Sequence, residues 1–140
     1  MTEGRNCILF DMDGVLVDSE VQHYEAWNRV FSEEGFRIPW DVYQPNIGST
    51  LPNMFKNVEA YLGHPLEDHD GLLARYKETL KAMVEEEGVK EVPGVRELLP
   101  RLRAAGYRMA VASSSPVPEI ERTIRVSGLE GEFELLFSGE

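Results

Sequence analysis

Two aspartates, one residue apart, follow the first apolar segment of the chain. The run Cys7–Phe10 ends at Asp11, and Asp13 and Gly14 come directly after it. Two carboxylates held this close can bind a hard divalent cation, and one of them can attack an electrophile. Asp-x-Asp-Gly is also ordinary turn chemistry, in which Asp11 only caps a turn. The spacing by itself leaves both interpretations open.

A second group of polar residues follows a later apolar run. Met109–Ala112 is apolar and is followed by Ser113 and Ser114. In open α/β sheets the reactive site lies at the carboxyl ends of the strands, so Ser113 and the two aspartates are expected at one edge. Serine is also a favoured residue where a helix begins, so a plain helix-entry role for Ser113 stays open.

Apolar segments predict the strands that carry these side chains. Cys7–Phe10 has no helical period and no room for a helix, so it predicts a buried strand. Met109–Ala112 and Phe133–Phe137 predict two further strands. The candidate residues therefore come directly after the first and second predicted strands.

Apolar residues at helical spacing predict five helices between these strands. The first begins after Ser19, whose spacing to Gln22 is that of a capping box, and Trp27 is expected in its buried face. In chain order, the five predicted helices contain Tyr24–Phe31, Met54–Leu62, Leu72–Val84, Val95–Leu102 and Ile120–Ile124. Pro100 lies inside the fourth, where an interior proline costs about 3 kcal/mol.

The order of these elements predicts an α/β fold with an insertion. Strands that alternate with helices indicate a parallel, Rossmann-like sheet with right-handed crossovers. The helical segment 18–90 is far longer than a crossover requires, so we interpret it as an inserted helical cap. Residues 1–17 and 91–140 then form a partial Rossmann-like core with about three strands.

Composition restricts the possible partners. The 140 residues contain 25 Asp and Glu against 14 Lys and Arg, which gives a formal charge of −11. This balance is the opposite of a nucleic-acid-binding footprint, so neither nucleic acid nor an anionic membrane is an expected partner. Cys7 is the only cysteine, and no segment is typical of a signal peptide or a membrane span. We therefore expect a cytoplasmic protein.

Two segments resemble signatures of the haloacid dehalogenase superfamily of phosphohydrolases. The run from Ile8 to Glu20, ILFDMDGVLVDSE, resembles the first signature in the capped branch that includes β-phosphoglucomutase and phosphoglycolate phosphatase-like enzymes. The run from Met109 to Ser115, MAVASSS, is similar to the second signature, a strand that ends in Ser or Thr. It follows a helical insertion of the kind that this branch contains.

This resemblance implies a role for each candidate residue. Asp11 would be the nucleophile that forms an aspartyl-phosphate, and Asp13 the general acid and base. Mg²⁺ would bind the Asp11 carboxylate and the backbone carbonyl of Asp13. The Ser113 hydroxyl and the Ser114 N–H would bind a phosphate oxygen near the start of the next helix.

A histidine in the first predicted helix is a further candidate. His23 lies four residues after Ser19, which places both on one face of the helix. In β-phosphoglucomutase-like relatives a histidine in this setting faces the catalytic cleft, so the resemblance implies a substrate-side role for His23. An ordinary exposed histidine on a helix is the alternative.

The chain also departs from the family pattern. The third signature is a lysine and the fourth an acidic pair, but the last lysine here is Lys90 and the last aspartate is Asp70, both inside the insertion. We therefore expect these 140 residues to be an N-terminal portion of a longer enzyme, inactive or nearly so alone. In the family sheet the first strand is central, so loss of the next strand would leave one of its edges without a partner. Such an edge would favour self-association.

The resemblance implies a Mg²⁺-dependent phosphatase of small phosphorylated metabolites, such as sugar phosphates. The alternative in the same fold is a β-phosphoglucomutase-type phosphotransferase, which moves phosphate rather than releasing it. The segment 47–53, IGSTLPN, lacks the arginine that holds a second phosphate in the mutase branch, which favours hydrolysis. A non-catalytic interaction module is the alternative from another class.

Overall fold

The computed structural model describes residues 6–139, which form three strands, six α-helices and one 3₁₀ turn. In chain order these are β1 (Cys7–Phe10), α1 (Glu20–Glu33), α2 (Trp40–Tyr43), the 3₁₀ turn (Gln44–Asn46), α3 (Leu51–Leu62), α4 (His69–Glu87), α5 (Val95–Ala104), β2 (Arg108–Ser113), α6 (Val117–Val126) and β3 (Leu135–Ser138). The three predicted strands and five predicted helices are present. The sequence did not predict α2 and the 3₁₀ turn, because such short segments show no apolar period.

The sheet confirms the predicted α/β class. Its three strands are parallel in the order β1-β2-β3, with Phe10 paired to Val111 and Ala112 paired to Phe137. Helices connect successive strands, as a parallel sheet requires. Pro100 does not end α5, which continues to Ala104. Because Pro100 is exposed, water can hydrate the carbonyl group that loses its helical partner.

The prediction that the first strand is buried was wrong. Among the described residues β1 pairs only with β2, and the side chain of Leu9 is 57% exposed. Leu9, Ala110 and Leu135 are paired in register and so share one face of the sheet. Connections between parallel strands are almost always right-handed, so two that advance in the same direction are expected to place α5 and α6 on the opposite face. Leu9 and Leu135 therefore remain exposed despite their apolar character.

The chain divides into two compact units. One consists of residues up to Ser19 and from Val84 onward, and contains the sheet. The other, Glu20–Met83, is helical. It is shorter at both ends than the expected insertion 18–90. No helix among residues 6–139 is both long enough and apolar enough to cross a membrane.

The helical unit has an aromatic core around Trp27. The Trp27 ring lies parallel to the Tyr76 ring, with 4.0 Å between the ring centres and 6° between the planes. It also contacts Phe31 face to face and Phe55 edge to face. The buried residues of this core are Trp27, Val30, Phe31, Ile38, Tyr43, Met54, Phe55, Val58, Leu66 and Leu72. The expected core position of Trp27 is confirmed.

Candidate active site

The two aspartates lie in a tight turn that begins where β1 ends. The N–H of Val17 donates to the Met12 carbonyl at 3.2 Å, and the N–H of Gly14 donates to the Val17 carbonyl at 2.8 Å. Gly14 has φ +76°, a conformation that glycine adopts without steric cost. Met12 and Val17 are fully buried, whereas Asp11 is exposed and Asp13 is half-buried. Buried side chains thus anchor the turn and leave both carboxylates accessible.

The two carboxylates have different hydrogen-bond partners. Asp11 Oδ1 accepts the N–H of Met12 at 2.8 Å. Asp13 Oδ1 accepts the hydroxyl of Ser19 at 2.5 Å, and Ser19 is only 4% exposed. A buried hydroxyl therefore orients the Asp13 carboxylate, whereas among residues 6–139 the neighbouring backbone N–H is what orients Asp11. An oriented carboxylate beside an accessible one suits two carboxylates with different tasks.

Ser19 is a candidate site residue that the sequence patterns did not indicate. It comes directly before α1, as expected for a capping residue, but its hydroxyl donates to Asp13. The apolar spacing of a helix indicates where the helix begins. It does not indicate the direction of the side chain at that point. Only the turn that follows β1 brings residue 19 next to residue 13.

A returning segment of chain supports the turn. The N–H of Asp18 donates to the Lys90 carbonyl at 2.8 Å, and Val17 forms an antiparallel bridge with Glu91. Arg96 donates two hydrogen bonds of 2.7 Å to the Glu91 carboxylate. Those bonds hold the pKa of Glu91 below its ordinary value. Glu91 therefore keeps its charge, and its ion pair with Arg96, to a lower pH than an isolated glutamate would.

The serine pair lies at the end of β2. Ser113 is the last residue of that strand and is buried, and Ser114 is exposed. The Ser113 hydroxyl oxygen accepts the N–H of Ser115 at 3.1 Å. Helix α6 starts only at Val117, preceded by Pro116. The bond that Ser113 makes therefore belongs to the turn before the helix, not to the first turn of the helix.

The structure brings four of the five candidate residues to one edge of the sheet. Phe10 pairs with Val111, so Asp11 leaves β1 beside the last residues of β2. Neighbouring strands lie about 4.8 Å apart. Asp11, Asp13, Ser113 and Ser114 all follow or end these two strands at their carboxyl ends. This placement is the one that the order of the predicted strands required.

The fifth candidate, His23, belongs to the helical unit. It is half-buried in α1, and its Nδ1 lies 2.5 Å from the hydroxyl oxygen of Tyr76. That hydroxyl belongs to the ring that stacks on Trp27. The His23 ring is thus held by a half-buried tyrosine that packs against the aromatic core.

The donor set fits Mg²⁺ in chemical type and would supply part of its ligand shell. Within residues 6–139 no group of three or more His, Cys, Asp or Glu side chains is close enough to hold a metal ion. Asp11 and Asp13 offer carboxylate and carbonyl oxygens, the hard donors that Mg²⁺ prefers. Mg²⁺ typically binds through one or two carboxylates and completes its shell with water and substrate phosphate.

Comparison with known proteins places this chain in a family. Residues 8–140 match the family model described as haloacid dehalogenase-like hydrolase. The chain is 32% identical over 136 residues to the phosphorylated carbohydrates phosphatase of Thermotoga maritima, covering 95% of this chain and 61% of that protein. It is 28% identical over 140 residues to a phosphoglycolate phosphatase of Rhodobacter capsulatus, covering 95% of this chain and 61% of that protein.

The fold is shared with solved structures of that group. The crystal structure of CbbY from Rhodobacter sphaeroides in complex with phosphate superposes with a TM-score of 0.75 at 24% identity. The match covers 96% of this chain and 63% of that protein. The chain spans about three fifths of the length of the curated relatives that it matches. The family model covers nearly the whole chain, and the chain therefore belongs to the haloacid dehalogenase-like hydrolases.

Proposed function

We propose that the whole protein carrying this chain is a phosphatase of small phosphorylated metabolites. One observation carries the proposal: Asp11, Asp13 and Ser113 lie at the carboxyl ends of adjacent parallel strands. The relative from Thermotoga maritima is named as a phosphatase of phosphorylated carbohydrates. Phosphorylated sugars are therefore the first substrates to test.

In the proposed reaction one aspartate is the nucleophile and the other transfers protons. A carboxylate oxygen of Asp11 attacks phosphorus, and the bond from phosphorus to the ester oxygen breaks. Asp13 gives its proton to the departing oxygen, which leaves as an alcohol. Asp13 then takes a proton from a water molecule whose oxygen attacks phosphorus. The bond from phosphorus to the Asp11 oxygen breaks, inorganic phosphate is released and Asp11 is again a carboxylate. The Ser19 hydroxyl holds the Asp13 carboxylate in position for both transfers.

The serine pair would bind the phosphoryl group. The Ser113 hydroxyl and the backbone N–H of Ser114 are the proposed donors to its oxygens. Among the described residues, no protein acceptor pairs with the Ser114 N–H, so it can serve a ligand. Mg²⁺ bound by Asp11 and Asp13 would offset the repulsion between a phosphate dianion and a chain of net charge −11.

We also propose that His23 contacts the non-reacting part of the substrate. Its Nδ1 is paired with the Tyr76 hydroxyl, which sets the orientation of the ring. A ring held in this way loses little further freedom when it binds a ligand. His23→Ala in the whole protein is the variant that tests this role by its effect on KM.

The experiment is phosphate release by the purified whole protein from a panel of phosphorylated compounds. We expect release from phosphorylated sugars in Mg²⁺ buffer and loss of release after chelation with EDTA. Interconversion of isomeric sugar phosphates without release would favour the phosphotransferase alternative. The absence of both reactions across the panel, with Mg²⁺ present, would overturn the proposal.

Ser19→Ala is expected to lower turnover about fivefold and to change KM little. One hydrogen bond contributes about 1 kcal/mol, and 1.4 kcal/mol is a factor of ten in rate. Ser19→Thr keeps the hydroxyl and should restore most of the rate. Steady-state kinetics on the three proteins measure this effect. Equal turnover in Ser19→Ala and the unsubstituted protein would contradict the assigned role of Ser19.

We further propose that the isolated 140-residue chain self-associates through the outer edge of β1. That edge has no partner strand among the described residues, and Leu9 beside it is 57% exposed. Leu9→Lys should shift the chain toward monomer, because charged residues discourage pairing at an edge. Val21→Lys changes an exposed valine on α1 and is the matched control. Light scattering over a concentration series measures the mass, and a monomer at every concentration would refute the proposal.

A further inference from the structure

We propose that Ser138, the last residue of β3, is a positioning residue for the Ser113–Ser115 loop. It would hold that loop in the shape that binds a phosphoryl group. The inference rests on the proposed function, because it assigns a further residue to the same phosphate site. Ser138 lies on the third strand and is distant in sequence from both aspartates and from the three loop serines.

The end of β3 holds the loop at two points. The Ser138 hydroxyl donates to the carbonyl oxygen of Ser115 at 2.6 Å. The N–H of Gly139 donates to the carbonyl oxygen of Ser113 at 2.7 Å. Ser114 lies between these two residues, so both carbonyl groups around it are tied to the same strand.

The peptide group between Ser113 and Ser114 transmits this constraint to the site. In a planar trans peptide, the C=O and the N–H that follows it point in opposite directions. The Ser113 carbonyl points toward β3, where it accepts the Gly139 N–H. The Ser114 N–H therefore points away from β3. Because β2 lies between β3 and β1, this N–H points toward the strand that carries Asp11.

Ser138 secures the other end of the loop, where regular structure gives no support. Ser115 lies between the last residue of β2 and Pro116, and its N–H already donates to the Ser113 hydroxyl oxygen. Its carbonyl group is held by the Ser138 hydroxyl. Without the Ser138 bond, the loop would keep the hydrogen bond from the Gly139 N–H to the Ser113 carbonyl. It would lose the hydrogen bond that holds the Ser115 carbonyl. The Ser114 N–H would then spend less time in the direction that suits a phosphate oxygen.

Close packing supports this arrangement. A Cβ atom built on Gly139 would lie 3.4 Å from the Cα of Ser114 and 3.6 Å from the carbonyl oxygen of Ser113. The backbone after β3 therefore touches the loop directly. The Ser138 hydroxyl therefore acts across a short contact between two half-buried residues.

The test measures binding of inorganic phosphate to the whole protein, by titration calorimetry and by competitive inhibition. We expect Ser138→Ala to weaken phosphate binding about three- to tenfold, the equivalent of one hydrogen bond. KM for a phosphorylated substrate should rise by a similar factor, with a smaller change in kcat. Ser138→Thr retains a hydroxyl and should restore binding. Ser138→Cys, with a similar size and a weaker donor, should behave as Ser138→Ala and provides a second variant if alanine impairs folding.

A matched control separates this role from general stabilisation. The hydroxyl of buried Ser127 also donates to a backbone carbonyl, that of Ile124, at 3.1 Å. Ser127→Ala should leave phosphate binding unchanged. Equal weakening in Ser127→Ala and Ser138→Ala would overturn the inference. Normal phosphate binding in Ser138→Ala, together with a loss of phosphate binding in Ser113→Ala, would also overturn the inference. Normal phosphate binding in Ser113→Ala would overturn the proposed phosphate loop itself.

Discussion

Asp11→Asn is expected to reduce turnover of the whole protein at least about 10³-fold, because the amide cannot serve as the nucleophile. The substitution keeps the size of the side chain. Asp11 is exposed, and asparagine Oδ1 can still accept the N–H of Met12, so the turn should be retained. Phosphate release with saturating Mg²⁺ measures the loss. A far-UV circular dichroism spectrum and an unfolding midpoint that match those of the unsubstituted protein exclude misfolding as its cause.

Asp18→Asn is the matched control for this loss. Asp18 is also an exposed carboxylate in the same segment, and its N–H rather than its side chain holds the Lys90 carbonyl. Removing its charge should change turnover by less than about threefold, since an exposed charge makes a small contribution in water. Turnover of Asp11→Asn within tenfold of normal would remove Asp11 from the role of nucleophile. An equally large loss of turnover in Asp18→Asn would show that the loss in Asp11→Asn comes from the change in net charge and not from removal of the nucleophile.

Trp27→Ala is expected to lower the free energy of unfolding by about 3–5 kcal/mol, the cost of deleting a large buried aromatic side chain. Trp27 is 3% exposed and lies against the rings of Tyr76, Phe31 and Phe55. These contacts join α1, α3 and α4, so the cavity would open at the centre of the helical unit. Urea unfolding followed by far-UV circular dichroism measures the change.

The other tryptophan of the chain is the control. Trp40 is 41% exposed and packs edge to face on Tyr24. Trp40→Ala should cost less than about 2 kcal/mol, because less apolar surface is removed from contact. A cost below about 1 kcal/mol for Trp27→Ala, or equal costs for both variants, would contradict the packing described for the helical unit.

Local patterns in the sequence predicted most of the elements and part of the candidate site. A strand or helix needs only neighbouring residues to show its apolar period, so the ends of β1 and β2 were predictable to within a few residues. Asp11, Asp13 and Ser113 follow or end those strands, and parallel strands bring their carboxyl ends to one edge. Their common location is therefore a consequence of strand order, which the sequence shows directly.

Contacts between distant segments could not be predicted in this way. The hydroxyl of Ser138 meets the carbonyl of Ser115 only because β3 pairs with β2 in one register. Tyr76 meets Trp27 and His23 only because α4 packs on α1.

The amino-acid sequence by itself determined which residues end the strands and which faces of the helices are apolar, because those properties depend on spacing along the chain. The tertiary structure decided that the Ser19 hydroxyl donates to Asp13, that the Ser138 hydroxyl donates to the Ser115 carbonyl and that Leu9 remains exposed. Each of these depends on which segments meet in space. Contacts between distant segments determine which side chains are buried and which groups form hydrogen bonds. The spacing of apolar residues along the chain does not show those contacts.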